Sequence, residues 1–296
     1  MYQTTLKSSI SCTGIGLHSG EKSVMTMKPA EAGTGIVFER TDLVNGARHF
    51  PARFDLVSDT FLCTTLRNAS GATLSTVEHV MAALAGCGID NALIEVSGPE
   101  IPIMDGSSEA FVFLIDCAGV DVLDAPRRYV RVLQDVTVVD GDKTARLSPA
   151  NCRSFRCEIV YDNERIARQD ASLDLDNDGF KTDVARARTF GLMEDVDTLR
   201  ANGLALGGSL DNAIVVSGDK VLNEGGLRYD NEFARHKVLD AVGDLALAGA
   251  PILGAFDGYC SGHALNNKLL TALFADENAW CWETASAETE RFVATA

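Results

Sequence analysis

Two side chains one helical turn apart can close on a single ion, and one segment of this sequence offers such a pair. It reads Glu232-Phe233-Ala234-Arg235-His236-Lys237-Val238-Leu239-Asp240-Ala241-Val242-Gly243-Asp244. At about 100° per residue, Val238, Leu239, Val242, Leu245 and Ala246 share one face, and His236, Asp240 and Asp244 form a stripe opposite. Zinc accepts both imidazole nitrogen and carboxylate oxygen. A solvated charged face has the same pattern, so the spacing alone leaves both readings open. His79 strengthens the first. It stands directly after Glu78 and is one of only 5 histidines, the others being His18, His49, His236 and His263. Catalytic zinc commonly has three protein ligands and one open position for water. His79, His236 and Asp240 supply three, with Glu78 beside them as a non-ligand. Read structurally instead, Glu78 caps a helix and His79 belongs to the core. His263 follows Ser261-Gly262 near the start of another helix, where glycine permits close approach of a ligand; a helix-cap histidine is the alternative.

The elements that must carry these residues can be read from the pattern. In the first part, Thr4–Cys12, Ser23–Met27 and Ala92–Val96 read as strands. Ser75 to Gly86 reads as a helix opened by a Ser75-Thr76-Val77-Glu78 capping box and closed by glycine. Gly98–Asp105 is a loop and Ser108–Ala118 a second helix. In the second part, Tyr129–Leu133, Val136–Val139, Phe155–Val160 and Ala213–Val216 read as strands, and Asn231–Ala248 and Ala264–Ala275 as helices. The clearest boundary is Asp124-Ala125-Pro126-Arg127-Arg128. Strands followed by paired helices on both sides of it predict an α+β fold of two related two-layer domains, 1–126 and 127–296.

The formal net charge of −16 argues against nonspecific nucleic-acid or anionic-lipid partners. A small anionic ligand remains compatible, held by a few local Lys and Arg residues. The 8 cysteines form no C-x-x-C pair and read as free thiols of a reducing compartment. The start, MYQTTLKSSI, lacks the apolar core of a signal peptide. Leu245 to Phe256 is too short and too broken by Gly and Pro to span a bilayer. The expectation is a cytoplasmic protein, monomeric, without stable membrane insertion.

Several motifs in order carry a resemblance. They are Gly14-Ile15-Gly16-Leu17-His18-Ser19-Gly20, Ser75-Thr76-Val77-Glu78-His79 with Met81-Ala82-Ala83-Leu84, and Pro99-Glu100-Ile101-Pro102-Ile103-Met104-Asp105-Gly106-Ser107. Then come Ala187-Arg188-Thr189-Phe190-Gly191, the Glu232–Asp240 segment, and Ser261-Gly262-His263-Ala264-Leu265-Asn266-Asn267-Lys268. Together they resemble the UDP-3-O-acyl-N-acetylglucosamine deacetylases, zinc enzymes of lipid A synthesis, from the first strand to about Trp280. The resemblance implies two α/β sandwiches with their helical layers facing each other and the site between them. It also implies an insert at about 192–222 that forms a passage for the substrate's acyl chain.

The reaction so implied is hydrolysis of the 2-acetamido group of UDP-3-O-acyl-N-acetylglucosamine, with release of acetate. The roles implied are general base for Glu78, oxyanion stabiliser and acid for His263, and its partner for Asp244. Thr189 is implied as a hydroxyl donor and Lys237 as a cation beside the metal. Substrate contacts are implied for Phe190, Lys143, His18, Arg188, Leu192, Asp195 and Cys63. Cys63 is also a soft donor suited to a second, inhibitory zinc. Iron(II) fits the same His₂Asp set as zinc. Two positions depart from the family: Cys260 stands where members carry Lys, and Leu192 where an aromatic is common. Competing functions are a zinc amidase acting on another N-acetylated sugar and a non-catalytic sugar-nucleotide binding protein.

Overall fold

The computed structural model describes residues 1–176 and 179–285; the last stretch of the expected second domain, 286–296, lies outside the described residues. Each half of the chain builds its own sheet. The first has five strands in the order Ile10–Ile15, Lys22–Pro29, Ala92–Val96, Ile36–Arg40 and His49–Pro51. All neighbours are antiparallel except Ile36–Arg40 with Ala92–Val96. Alternation sets one face: Met25 and Met27 of the second strand and Ala92, Ile94 and Val96 of the third are buried. The second sheet has seven strands centred on Ile252–Tyr259. That strand pairs Lys143–Ser148 along one edge. Along the other it pairs first Arg128–Val132, then Arg153–Val160, both parallel to it.

Five α-helices are present among the described residues: α1 (Glu78–Gly86), α2 (Glu109–Ala118), α3 (Met193–Ala201), α4 (Glu232–Ala246) and α5 (His263–Ala275). α4 lies on the Arg153–Val160 and Arg168–Asp174 strands and contacts α1 and also α5, which lies on the Val136–Asp140 and Lys143–Ser148 strands of the same sheet. α1 also contacts α2. The architecture is α+β, with helices from the two halves meeting along the α1–α4 seam. Residues 192–222 include α3 and a small sheet in which Ile214–Ser217 pairs with both Phe190–Leu192 and Lys220–Val221. No helix among the described residues is long and apolar enough to cross a membrane, and all eight cysteines are free.

Three sequence expectations change. Thr4–Cys12 is two strands, Tyr2–Leu6 and Ile10–Ile15. The chain turns between them, and the Lys7 amide is bonded to the Gly119 carbonyl. The Asp124–Arg128 segment, read from its turn residues, is held in regular structure instead. Val120–Pro126 is a strand paired with Tyr2–Leu6, and Arg127 is buried against Asp90. The capping box at Ser75–Glu78 does not form: α1 starts without a side-chain cap. Thr76 takes a left-handed conformation, φ 60°, and the Glu78 carboxylate turns instead to the amide of Thr64.

Candidate metal and catalytic site

α1 and α4 approach so closely that a Cβ built on Gly243 would overlap the Glu78 carbonyl. Glycine at that point lets the first turn of α1 lie against α4, next to His236 and Asp240. The stripe read as opposite the apolar face is therefore not solvated. α4 is buried on nearly every side, and His236, Asp240 and Asp244 are buried with Glu78, His79 and His263.

Ligating atoms of His79, His236 and Asp240 all lie within 4.8 Å of one another. His236 Nδ1 donates to the Ala187 carbonyl (3.0 Å), which leaves Nε2 turned to Asp240 Oδ1 at 3.3 Å. This is the outer contact that fixes the tautomer of a ligating histidine. His79 Nε2 stands 3.9 Å from the same oxygen. Asp240 Oδ2 is occupied by the Lys237 ammonium at 2.7 Å, but Oδ1 is buried with no hydrogen-bond partner. A buried, unpartnered carboxylate oxygen faced by two imidazole nitrogens is a poor resting arrangement without an ion. With a divalent cation among them, the donor set is coherent. Burial pushes the His79 imidazole down to about 3, helped by neighbouring His236, so it offers a lone pair. Burial alone would push the Asp240 carboxyl up, but His236 and Lys237 outweigh it and hold the group well below the usual carboxylate range.

Beside these three lies a second pair. His263 Nδ1 is 2.9 Å from Asp244 Oδ2, and its Nε2 is 3.9 Å from Glu78 Oε1. Asp244 is fully engaged: it also accepts from the Thr64 hydroxyl (2.6 Å) and the Asn266 amide (2.9 Å). Burial pulls the His263 imidazole down, yet the Asp244 charge and hydrogen bond, with Glu78, outweigh it and hold the group at about 9. Burial pushes the Glu78 carboxyl up to about 8; His263 resists this and Asp244 adds to it. A base and an acid thus face each other across one small space.

Glu78, His79, His236, Asp240 and His263 line a cavity of about 410 Å³ between the halves. Its wall also carries His18, Lys143, Tyr161, Thr189, Phe190 and Lys237. Phe190 packs on Phe233 (ring centroids 4.9 Å apart) and lies under the Lys237 ammonium at 5.5 Å. Thr189 is held through its backbone between the Gly106 carbonyl and the Ile214 amide. Cys260, with φ 47°, is on the wall as well. Four expected contacts are elsewhere. Arg188 is committed to buried Glu232 and the Gly226 carbonyl. Asp195 is exposed on α3, Leu192 packs on the core, and Cys63 is buried beneath the site. Thr64 and Asn266 escaped sequence reasoning. Asn266 was visible in the motif after His263, one turn along α5, whereas nothing in the sequence marks Thr64.

Three ligands with a carboxylate–imidazole pair at their side are what metal-assisted hydrolysis requires, and the cleft fits that class. Comparison with known proteins narrows it. A family model described as "LpxC: UDP-3-O-acyl N-acetylglycosamine deacetylase" matches residues 3–275. A Vibrio cholerae protein named UDP-3-O-acyl-N-acetylglucosamine deacetylase is 51% identical over 288 residues, 97% of this chain and 94% of its own length. Proteins of the same name from Photobacterium profundum (51% over 290 residues, 97% and 94%) and Xanthomonas oryzae pv. oryzae (50% over 291 residues, 98% and 95%) are similar too. The chain belongs to this deacetylase family.

Proposed function

We propose that the protein hydrolyses the 2-N-acetyl group of UDP-3-O-acyl-N-acetylglucosamine, releasing acetate, as a zinc-dependent step of lipid A biosynthesis in the cytoplasm. The observation that carries the reading is the buried His79–His236–Asp240 set with its unpartnered oxygen, adjoining Glu78 and His263. It is supported by about 50% identity to deacetylases over nearly the whole chain. The reading treats 1–126 and 127–296 as the two sandwiches that form the cleft.

A divalent cation held by His79, His236 and Asp240 supplies Lewis acidity for an amide carbonyl and acidity for a water. The protein's own side chains do the rest. Glu78, deprotonated, takes the proton from the attacking water at Oε1, a role worth about 10²- to 10⁴-fold. Its other oxygen is fixed by the Thr64 amide at 3.0 Å. His263, protonated and aimed by Asp244, faces the developing oxyanion and the leaving amine with Nε2. The Thr189 hydroxyl donates to the same oxyanion, a contact of the kind worth about 10²- to 10³-fold. Lys237 orients Asp240 and adds positive charge to the cleft wall. Phe190 gives the sugar an apolar face, and Lys143 and His18 offer contacts to the polar part of the substrate.

The deciding experiment measures the metal content of purified protein together with acetate release from the UDP substrate. Chelation is expected to abolish release while the fold persists. A protein that stays fully active after its metal is removed would overturn the reading.

A further inference from the structure

Glu100 follows the Ala92–Val96 strand and is buried, 3% exposed. It meets no Lys or Arg among the described residues; donors from two separate segments converge on it instead. Oε1 accepts from the His18 amide (2.9 Å) and the Thr76 hydroxyl (2.9 Å). Oε2 accepts from the Ser19 amide (2.8 Å) and the Ser19 hydroxyl (2.6 Å). Hydrogen bonds to a charged acceptor are shorter and stronger than neutral ones. Here they hold two pieces of the cleft rim. One is Thr76, in its left-handed conformation two residues before Glu78. The other is the 16–20 loop. The approach is tight, since a Cβ on Gly16 would overlap the Glu100 carboxylate.

What the loop carries is relevant to substrate. His18 lines the cleft with both ring nitrogens buried and without a hydrogen-bond partner. A buried polar atom left so calls for a partner that binds there. On its other side the loop receives the 192–222 insert. Leu206 donates its amide to the His18 carbonyl (3.1 Å), and Gly207 donates to that of Leu17 (3.0 Å). A Cβ on Gly207 would overlap the Gly16 carbonyl. Glu100, the loop and the insert are thus stacked in contact.

We propose that Glu100 is a positioning residue for substrate: it fixes the 16–20 loop and thereby both the His18 imidazole and the docked edge of the 192–222 insert. The inference rests on the substrate reading given above. Glu100 itself touches no reacting atom, so its loss acts on substrate binding more than on the chemical step.

Glu100→Gln keeps the size of the side chain but turns one acceptor into a donor facing an N–H group. The expected result is retained metal content and cooperative melting, with KM for the acylated UDP-sugar raised roughly tenfold and kcat changed by less than about threefold. Gly207→Ala perturbs the same stack from the insert side, across the loop from Glu100. It is expected to lower the preference for acylated over unacylated UDP-sugar by roughly fivefold or more. An unchanged KM in folded Glu100→Gln overturns the proposal, as does a fall in kcat and metal content alone. If Glu100→Gln does not fold, Gly207→Ala decides, and an unaltered acyl preference there overturns it. Wild-type protein in the same assay separates the two readings. Acetate release with an unaffected variant removes only the role of Glu100, whereas no release by the wild type removes both.

Discussion

The α1–α4 seam has two ends that contrast sharply in what they bury. At one end, Glu78, His79, His236, Asp240 and Asp244 are packed out of water. At the other, the same helices present Met81, Leu84, Ala85, Val242, Leu245 and Ala246 to a cavity of about 340 Å³. The polar end is dense with directed bonds: Asp244 alone accepts from Thr64, His263 and Asn266. At the other end the two helices offer only apolar side chains, and the polar groups around that cavity, such as Arg127 with Asp90, belong to other elements. Buried charge must be matched donor by donor, because an unmatched group costs several times what a good bond returns. Buried hydrocarbon needs only volume and contact. The helices are therefore held together from one end and made useful at the other.

If that contrast is right, substitutions at the polar end should cost activity and those at the apolar end stability. The largest effect is expected from Glu78→Gln. Acetate release should fall by about 10²- to 10⁴-fold, with the thermal midpoint little altered. Gly243→Ala comes next, because it pushes α1 away from α4 at the Glu78 carbonyl. A displacement of this kind can cost about 10²-fold in rate, and overpacking about 1–3 kcal/mol in stability; kinetics and denaturant melts measure both.

Asp244→Asn tests the His263 pair. Asp244 is the main group holding His263 at about 9, against an ordinary value of 6.5. Because folding raises this pKa, the imidazolium's contribution to stability is fully present below pH 6.5 and is lost as pH rises through about 9. The kcat–pH profile of the wild type should fall on its alkaline side near 9. In the Asn variant that limb should move to lower pH. An unmoved limb would assign it to some other group. The smallest effect on rate is expected from Leu84→Ala. It should cost about 2–5 kcal/mol of stability and leave kcat within about twofold. A large loss of activity there would break the division between the two ends.

Much of this was legible in the sequence, for identifiable reasons. Strand Ala92–Val96 coincides with its expected span because alternation and flanking turn residues agree there. α4 was clear from its apolar period, but periodicity could not tell a solvated stripe from a buried polar one. Only the approach of α1 at Gly243 makes the difference, and that contact joins residues far apart in the chain. The central strand Ile252–Tyr259 escaped because its two glycines interrupt the apolar alternation, although burial does alternate from Gly254 to Tyr259, with Asp257 exposed. The capping box failed for the opposite reason: a strong local pattern lost to a tertiary demand on Glu78. That His79, His236 and Asp240 gather at one point, with Glu78 and His263 beside them, could be expected from residue type and motif. Glu100 and Thr64 could not be given roles, since their value lies in backbone amides that no sequence pattern displays.

The division of the ligands between halves also has a consequence for the order in which the protein is made. His79 leaves the ribosome well before His236 and Asp240, by roughly 8–30 s at ordinary rates of synthesis. Throughout that interval a nascent chain carries only one of the three candidate ligands, the His79 imidazole, too few to retain an ion. Capture of the cation must wait until the last large helices have been translated and docked. Ion uptake is then a signal that translation has reached the second half and folded it, and a truncated chain would emerge without a charge-compensated core.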